Sequence, residues 1–115
     1  MSQTINLTPY SINIDNQRVN LSLSAWMGGY DNQNDEASVQ LYFLSENFQQ
    51  INQPIEIGPI TMADRSSITS LLFRQTSLII PSGTRFISIM TLAQRYGGTN
   101  NDGYIDNISV ILHQF

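Results

Sequence analysis

The residues best equipped for chemistry in this chain lie in two loops that echo one another. Gly28-Gly29-Tyr30-Asp31-Asn32-Gln33-Asn34-Asp35 and Gly97-Gly98-Thr99-Asn100-Asn101-Asp102-Gly103-Tyr104 both open on a glycine pair and continue in Asn and Asp. Either these are simply good loop formers, since Asn, Asp and Gly suit turn backbone, or the two loops supply oxygen ligands and hydrogen-bond donors to one site. Asp31, Gln33 and Asp35 have the alternate-residue spacing that opens an EF-hand. The sixth position of that motif requires glycine and is Glu36, and the twelfth requires a bidentate acid and is Tyr42, so an EF-hand is excluded. What remains is a calcium site of another kind, using Asp31, Asp35 or Glu36, or a solvated acidic loop.

Asp106 stands among apolar residues in Tyr104-Ile105-Asp106-Asn107-Ile108. By parity it shares the face of Ile108 and Val110, and a buried acid needs a partner: an arginine, backbone amides or calcium. The aromatic residues point to sugar. Trp26 falls on the polar side of its strand beside Gly28-Gly29, where it is either packed beneath a loop or the facing sheet, or presented to a ligand. Tyr42, Tyr96 and Tyr104 fall in or near loops. The apolar C–H faces of a sugar ring stack on aromatic rings, and its hydroxyls bond to amides, acids and arginine. Arg65, beside Asp64, either pairs locally or projects into a groove. The expected glycan site is therefore Tyr30, Asp31, Arg95, Tyr96, Asn101 and Tyr104, provided both loops emerge at the same end of the fold. If they do not, no single pocket can use both; a glycan whose binding survives Tyr96→Ala and Asp31→Ala would instead sit on the polar sheet face around Trp26 and Arg74.

Catalysis finds little to work with. The single histidine, His113, is the third-last residue, and there is no Gly-x-Ser-x-Gly, no P-loop and no cysteine. A glycosidase needs two carboxylates across a cleft, which a small sandwich with short loops does not build. The chain reads as a binding protein and not an enzyme. Charged residues make up 12% of the chain, about half the usual level. All five cations are arginine, against nine acids, for a net charge of -4. That balance provides no basic patch for phosphates, which argues against nucleic acid, and no apolar run is long enough to span a membrane.

Strands must position these residues. In Val19 to Met27 the odd positions are apolar and the even ones nearly all polar, the mark of a half-buried strand. Ala37, Val39, Leu41 and Phe43 repeat the pattern, as do Ile108, Val110 and Leu112, and Arg85 to Ala93 is a mixed apolar strand. Shorter strand-prone stretches are Gln3 to Leu7, Gln53 to Ile57, Thr69 to Phe73 and Ser77 to Ile80. Turn signals recur roughly every ten residues, among them Gly28-Gly29, Glu46-Asn47, Gly58-Pro59, Pro81-Ser82-Gly83 and Asp102-Gly103. No stretch makes a convincing amphipathic helix. This spacing predicts an all-β, jelly-roll sandwich of two antiparallel sheets. It forms one domain over residues 1–115, with Leu21, Leu23, Val39, Leu41, Phe43, Ile108 and Val110 in its core.

Four segments together resemble bacterial exported domains of the galactose-binding-like superfamily. They are Ser24-Ala25-Trp26-Met27-Gly28-Gly29-Tyr30, Gly58-Pro59-Ile60-Thr61-Met62-Ala63-Asp64-Arg65, Pro81-Ser82-Gly83-Thr84-Arg85 and Asn101-Asp102-Gly103-Tyr104-Ile105-Asp106-Asn107-Ile108-Ser109-Val110. The last block resembles the final strand of many carbohydrate-binding modules. The resemblance runs from about Gln3 to Leu112 and implies a jelly roll that binds carbohydrate or glycan. Such domains usually open on a further segment, whose acid helps hold a structural calcium with an aspartate like Asp106. That segment is not present here, so the chain reads as a shortened variant or a late start. Asp31, Asp35 and Asp106 are the expected calcium ligands. An extracellular or cell-surface location within an exported protein follows, with no signal peptide in Met1 to Tyr10. The competing expectation is a structural or protein-interaction module that self-associates into a homo-oligomer, favoured if a sheet edge is left uncovered.

Overall fold

The computed structural model describes residues 2–29, 36–60, 70–94 and 104–115. Seven strands dominate it: β1 (Ser2–Asn6), β2 (Val19–Gly29), β3 (Glu36–Leu44), β4 (Gln50–Ile60), β5 (Ser70–Ile79), β6 (Phe86–Gln94) and β7 (Tyr104–Gln114). A single 3₁₀ turn, Thr8–Tyr10, runs into a short helix, α1 (Ser11–Asp15), between β1 and β2. The four-stranded sheet has the order β1-β6-β3-β4 and the three-stranded sheet the order β5-β2-β7, with every pairing antiparallel. Three of the pairs are nested. The β3–β4 hairpin lies innermost, β2 pairs β5 around it, and β1 pairs β6 around both. A long double strand rolled over itself in this way is a jelly roll, and β7 then closes onto the other side of β2.

Alternation decides which side chains are interior. Val19, Leu21, Leu23, Ala25 and Met27 on β2, and Ala37, Val39, Leu41 and Phe43 on β3, are all within 1% of complete burial. These are the central strands of the two sheets, so both neighbours and the facing sheet cover them. Ile108 and Val110, also expected in the core, pack against it but are only half-buried. They belong to β7, the edge strand of the smaller sheet, where cover is missing on one side.

Two local readings are corrected. Gly58-Pro59 is not a turn but part of β4, where the register against β3 shifts between Ala37 and Val39. Gly58 takes φ +91°, and a Cβ there would lie 2.8 Å from the carbonyl oxygen of Ala37. A bulge and a turn both need a residue that tolerates left-handed backbone, so they share a composition. The two short stretches expected around 70–73 and 77–79 belong to one continuous strand, β5, interrupted in pattern by Arg74. As an edge strand β5 can carry a charge at a core-side position, and the Arg74 guanidinium turns out to donate to the Phe73 carbonyl at 3.0 Å.

One end of the sandwich is fastened by an ion pair. Asp15, closing α1, accepts from the Arg85 guanidinium at 2.7 and 3.0 Å and from the Gly83 amide at 2.8 Å. These charged and backbone donors hold the Asp15 carboxyl at about 2, below its usual range. The turn between β5 and β6 is thereby tied to α1, and the main chain closes the same end through Leu7 to Arg85 and Arg85 to Leu44.

Candidate functional site

The opposite end gathers the loops that carry the expected site. β2 ends at Gly29 and β3 begins at Glu36; β6 ends at Gln94 and β7 begins at Tyr104. Glu36 pairs with Gln94 in one sheet, and Gly28 pairs with Tyr104 in the other. The strand ends that flank both loops therefore lie at the same rim. Ile60, paired with Ala37, and Ser70, paired with Gly29, end their strands at that rim as well. Tyr30, Asp31, Asp35, Arg95, Tyr96 and Asn101 lie outside the described residues, as does Arg65. Tyr104 and Asp106 are described through their backbone, in β7. Among the described residues, no cluster of three or more His, Asp or Glu side chains forms a metal-binding group.

Just below that rim, the outer face of the three-stranded sheet presents an arrangement that periodicity alone did not show. On β2 the even residues face outward, and pairing extends each into a row across three strands. Phe73, Trp26 and Asp106 form one row; Gln75, Ser24 and Ser109 the next; then Ser77, Ser22 and Ile111; then Ile79, Asn20 and His113. Strand spacing of about 4.8 Å and a repeat of about 6.8 Å per two residues make this face roughly 10 Å by 20 Å.

Trp26 is not packed beneath a loop or the facing sheet. It is 42% exposed, and Phe73 beside it is 43% exposed. Their rings meet at 5.3 Å between centroids, tilted by 56°, within the range that aromatic pairs prefer. The pair offers two adjoining apolar faces to solvent. The two rows beyond it carry hydroxyl and amide groups from Ser22, Ser24, Gln75, Ser77 and Ser109, with no charged side chain among them. Phe73 was missed in the sequence because its significance depends on standing opposite Trp26.

The placement of Asp106 differs from the parity expected of it. The β2–β7 register shifts between Ser24 and Trp26, and Asn107 takes φ +52°. One extra residue at such a bulge inverts the parity beyond it. Asp106 therefore stands opposite Trp26, in the outward row, while Val110 and Ile105 stand opposite the buried Leu23 and Met27. Arg74, too, is not on this face: it pairs opposite the buried Ala25 and lies on the other side of β5. Tyr42 sits within β3, and its hydroxyl donates to the Gln40 side-chain carbonyl at 2.8 Å.

No protein-family model and no curated protein sequence matches the chain. Solved structures do. The chain is similar in fold to a carbohydrate-binding module. That structure, "Family 16 Carbohydrate Binding Module-2", aligns with a TM-score of 0.54 at 16% identity, over 96% of this chain and 67% of that one. The enzymatically active domain of bacteriophage CBA120 tailspike protein 4 aligns with a TM-score of 0.60 at 17% identity, over 97% of this chain. The structure of the Gx strain of infectious bursal disease virus aligns with a TM-score of 0.53 at 12% identity, also over 97%. The chain spans only 13% of the tailspike chain and 25% of the viral one. At these identities the likeness is one of fold, a β-sandwich similar to that of carbohydrate-binding modules. No helix among the described residues is long and apolar enough to cross a membrane.

Proposed function

We propose that this chain is a non-catalytic carbohydrate-binding module of an exported or surface protein, and that it holds glycan on the outer face of β5-β2-β7. The carrying observation is the solvent-facing Trp26–Phe73 pair at the head of rows of serine and glutamine. A pyranose ring has one or two apolar faces and a rim of hydroxyls. The aromatic pair takes the first, and the side-chain hydroxyls and amides take the second. The fold similarity to a carbohydrate-binding module supports the same reading. Tyr30, Asp31, Arg95, Tyr96, Asn101 and Tyr104 extend the site from the rim that adjoins Trp26. Calcium held by Asp31, Asp35 and Asp106 would fix those loops and supply no chemistry to the ligand.

A glycan array probed with and without calcium tests this proposal, with the native chain and Trp26→Ala side by side. Binding to neutral glycans by the native chain, lost or sharply weakened in the variant, is the expected result. Glycan binding that Trp26→Ala leaves unchanged would move the site away from this face. A second reading draws on Ile79 and Ile111, which are 47% and 60% exposed on the same face. They add apolar surface at the end remote from Trp26, which suits a protein-interaction or self-associating surface. Absence of any glycan binding, together with association through this face, would favour that alternative.

A further inference from the structure

The two sheets differ in width, and the difference leaves a cleft. β5 packs over β4, β2 over β3 and β4, and β7 over β3. In the larger sheet β6 and then β1 continue outward beyond β3, so this sheet reaches past β7. The space where a fourth strand of the smaller sheet would lie is a cleft of about 270 Å³, lined by Gln3 and Ile5 of β1, Ile89 of β6, and Ile108 and Val110 of β7. None of these described lining residues is charged. It lies on the core side of β7, away from the Trp26 face.

The edge that borders this cleft is guarded only at its start, where Asp106 precedes the bulge at Asn107. Sheet edges are ordinarily guarded by shortness, proline, charge or irregular backbone. β1 has only five residues. β4 carries Pro54, Pro59 and Glu56, with Asn52 and Gly58 at positive φ. β5 carries Arg74. In β7, the run Ile108-Ser109-Val110-Ile111-Leu112-His113-Gln114 has no proline, no glycine and no Asp, Glu, Lys or Arg. A regular, uncharged strand edge beside an apolar cleft one strand wide is the acceptor geometry for strand addition. Main-chain hydrogen bonds give the affinity, and alternate side chains seated in the cleft give the specificity.

We infer that this cleft is a docking site for one extended segment of a partner polypeptide, which pairs with β7 and places uncharged aliphatic residues at every second position over Ile5, Ile89, Ile108 and Val110. A second copy of the chain does not fit the same place. Antiparallel joining of two β7 edges would keep both larger sheets on one side, and the partner's β6 and β1 would enter the space already filled by β6 and β1. The occupant is therefore a lone strand without a covering sheet of its own.

The test is an NMR titration of the isotope-labelled chain with three soluble peptides flanked by lysine. One alternates valine and threonine, one is its scrambled form of equal composition, and one is the alternating peptide with every second amide N-methylated. The alternating peptide is expected to shift the amides of Ile108 to Leu112 and the methyls of Ile5 and Ile89. The scrambled and methylated forms should bind at least about tenfold more weakly. Ile108→Thr, a half-buried position at an edge, should weaken binding several-fold while leaving remote amide shifts unchanged. If that variant fails to fold, Ile5→Thr on β1 makes the same test. Trp26→Ala should have no effect, which separates this site from the glycan face. The inference is overturned if no shifts appear, if they map to the β4 or β5 edge, or if the scrambled peptide binds equally. It is also overturned if the β7 amides are protected by concentration alone, which would make a second copy the occupant.

Discussion

Replacing Trp26 by alanine separates the ring's part in binding from its part in stability. Trp26 is 42% exposed. For a side chain that offers roughly 250 Å² in all, about 100 Å² of largely apolar surface is open to a ligand. Covering most of it with the face of a pyranose is worth roughly 2 kcal/mol at about 25 cal/mol per Å², or about thirtyfold in affinity. The stability cost is smaller, because the indole lies outside the core and loses chiefly its 5.3 Å contact with Phe73. Aromatic pairs of that kind contribute about 0.5–1.5 kcal/mol. For a domain of this size that lowers the melting temperature by several degrees without unfolding it. The assay is built into the molecule. Trp26 is the only tryptophan, so its fluorescence reports on this face alone, and titration with a bound oligosaccharide should change its emission along the binding isotherm. A saccharide that binds with unchanged emission, and binds Trp26→Ala equally well, would refute the platform outright.

Four further outcomes follow from other parts of the molecule. Asp15→Asn removes a carboxylate whose folded pKa, about 2, lies below the ordinary aspartate value of 3.8. The pair's contribution is therefore fully present above about pH 4 and lost as pH falls through about 2. The Asp15 side chain is 43% exposed, so solvent screens the pair, and thermal melts of variant and native chains should differ modestly at neutral pH and converge near pH 2. Gly58→Ala forces a side chain onto left-handed backbone 2.8 Å from the Ala37 oxygen, and urea unfolding should show a loss of about 3 kcal/mol. If Asp31, Asp35 and Asp106 hold calcium in the native state alone, a hundredfold excess over its dissociation constant stabilises by about 2.7 kcal/mol; a melting temperature unmoved by calcium or chelator removes the ion from the proposal. Tyr96→Ala and Asp31→Ala should each weaken glycan binding by about 1–3 kcal/mol if the rim loops complete the site, and isothermal titration showing unchanged affinity in both would confine the site to the sheet face.

Much of the fold is legible in the sequence because central strands obey a strict rule. β2 and β3 each have neighbours on both sides and a facing sheet, so any polar residue at an inward position would be stranded, and alternation from Val19 to Met27 and from Ala37 to Phe43 is nearly unbroken. Edge strands are released from that rule. Arg74 occupies a core-side position of β5 because its guanidinium escapes past the edge to the Phe73 carbonyl, and the sequence pattern consequently splits one strand into two. The rim was legible only as composition. That the loops following β2 and β6 share an end depends on the pairing of Glu36 with Gln94 and of Gly28 with Tyr104, a long-range fact that no local pattern encodes.

The aromatic platform shows why a site on a sheet face is harder to read than a site in a loop. Trp26 occupies a polar-parity position, which places it outward but leaves open whether anything covers it. Phe73 occupies the outward parity of a strand whose alternation is already broken. Each residue alone resembles a stray hydrophobic on a surface, and single exposed hydrophobics are normal. Their meaning arises from register, since one more or one fewer residue between Trp26 and Phe73 would send one ring into the core. The bulge at Asn107 acts on the same row from the other side. Without it, Asp106 would share the parity of Ile108 and Val110; with it, Asp106 pairs in register with Trp26. The irregular residue in β7 therefore sets which residue of that strand pairs with Trp26 and keeps both Ile105 and Val110 opposite buried residues of β2.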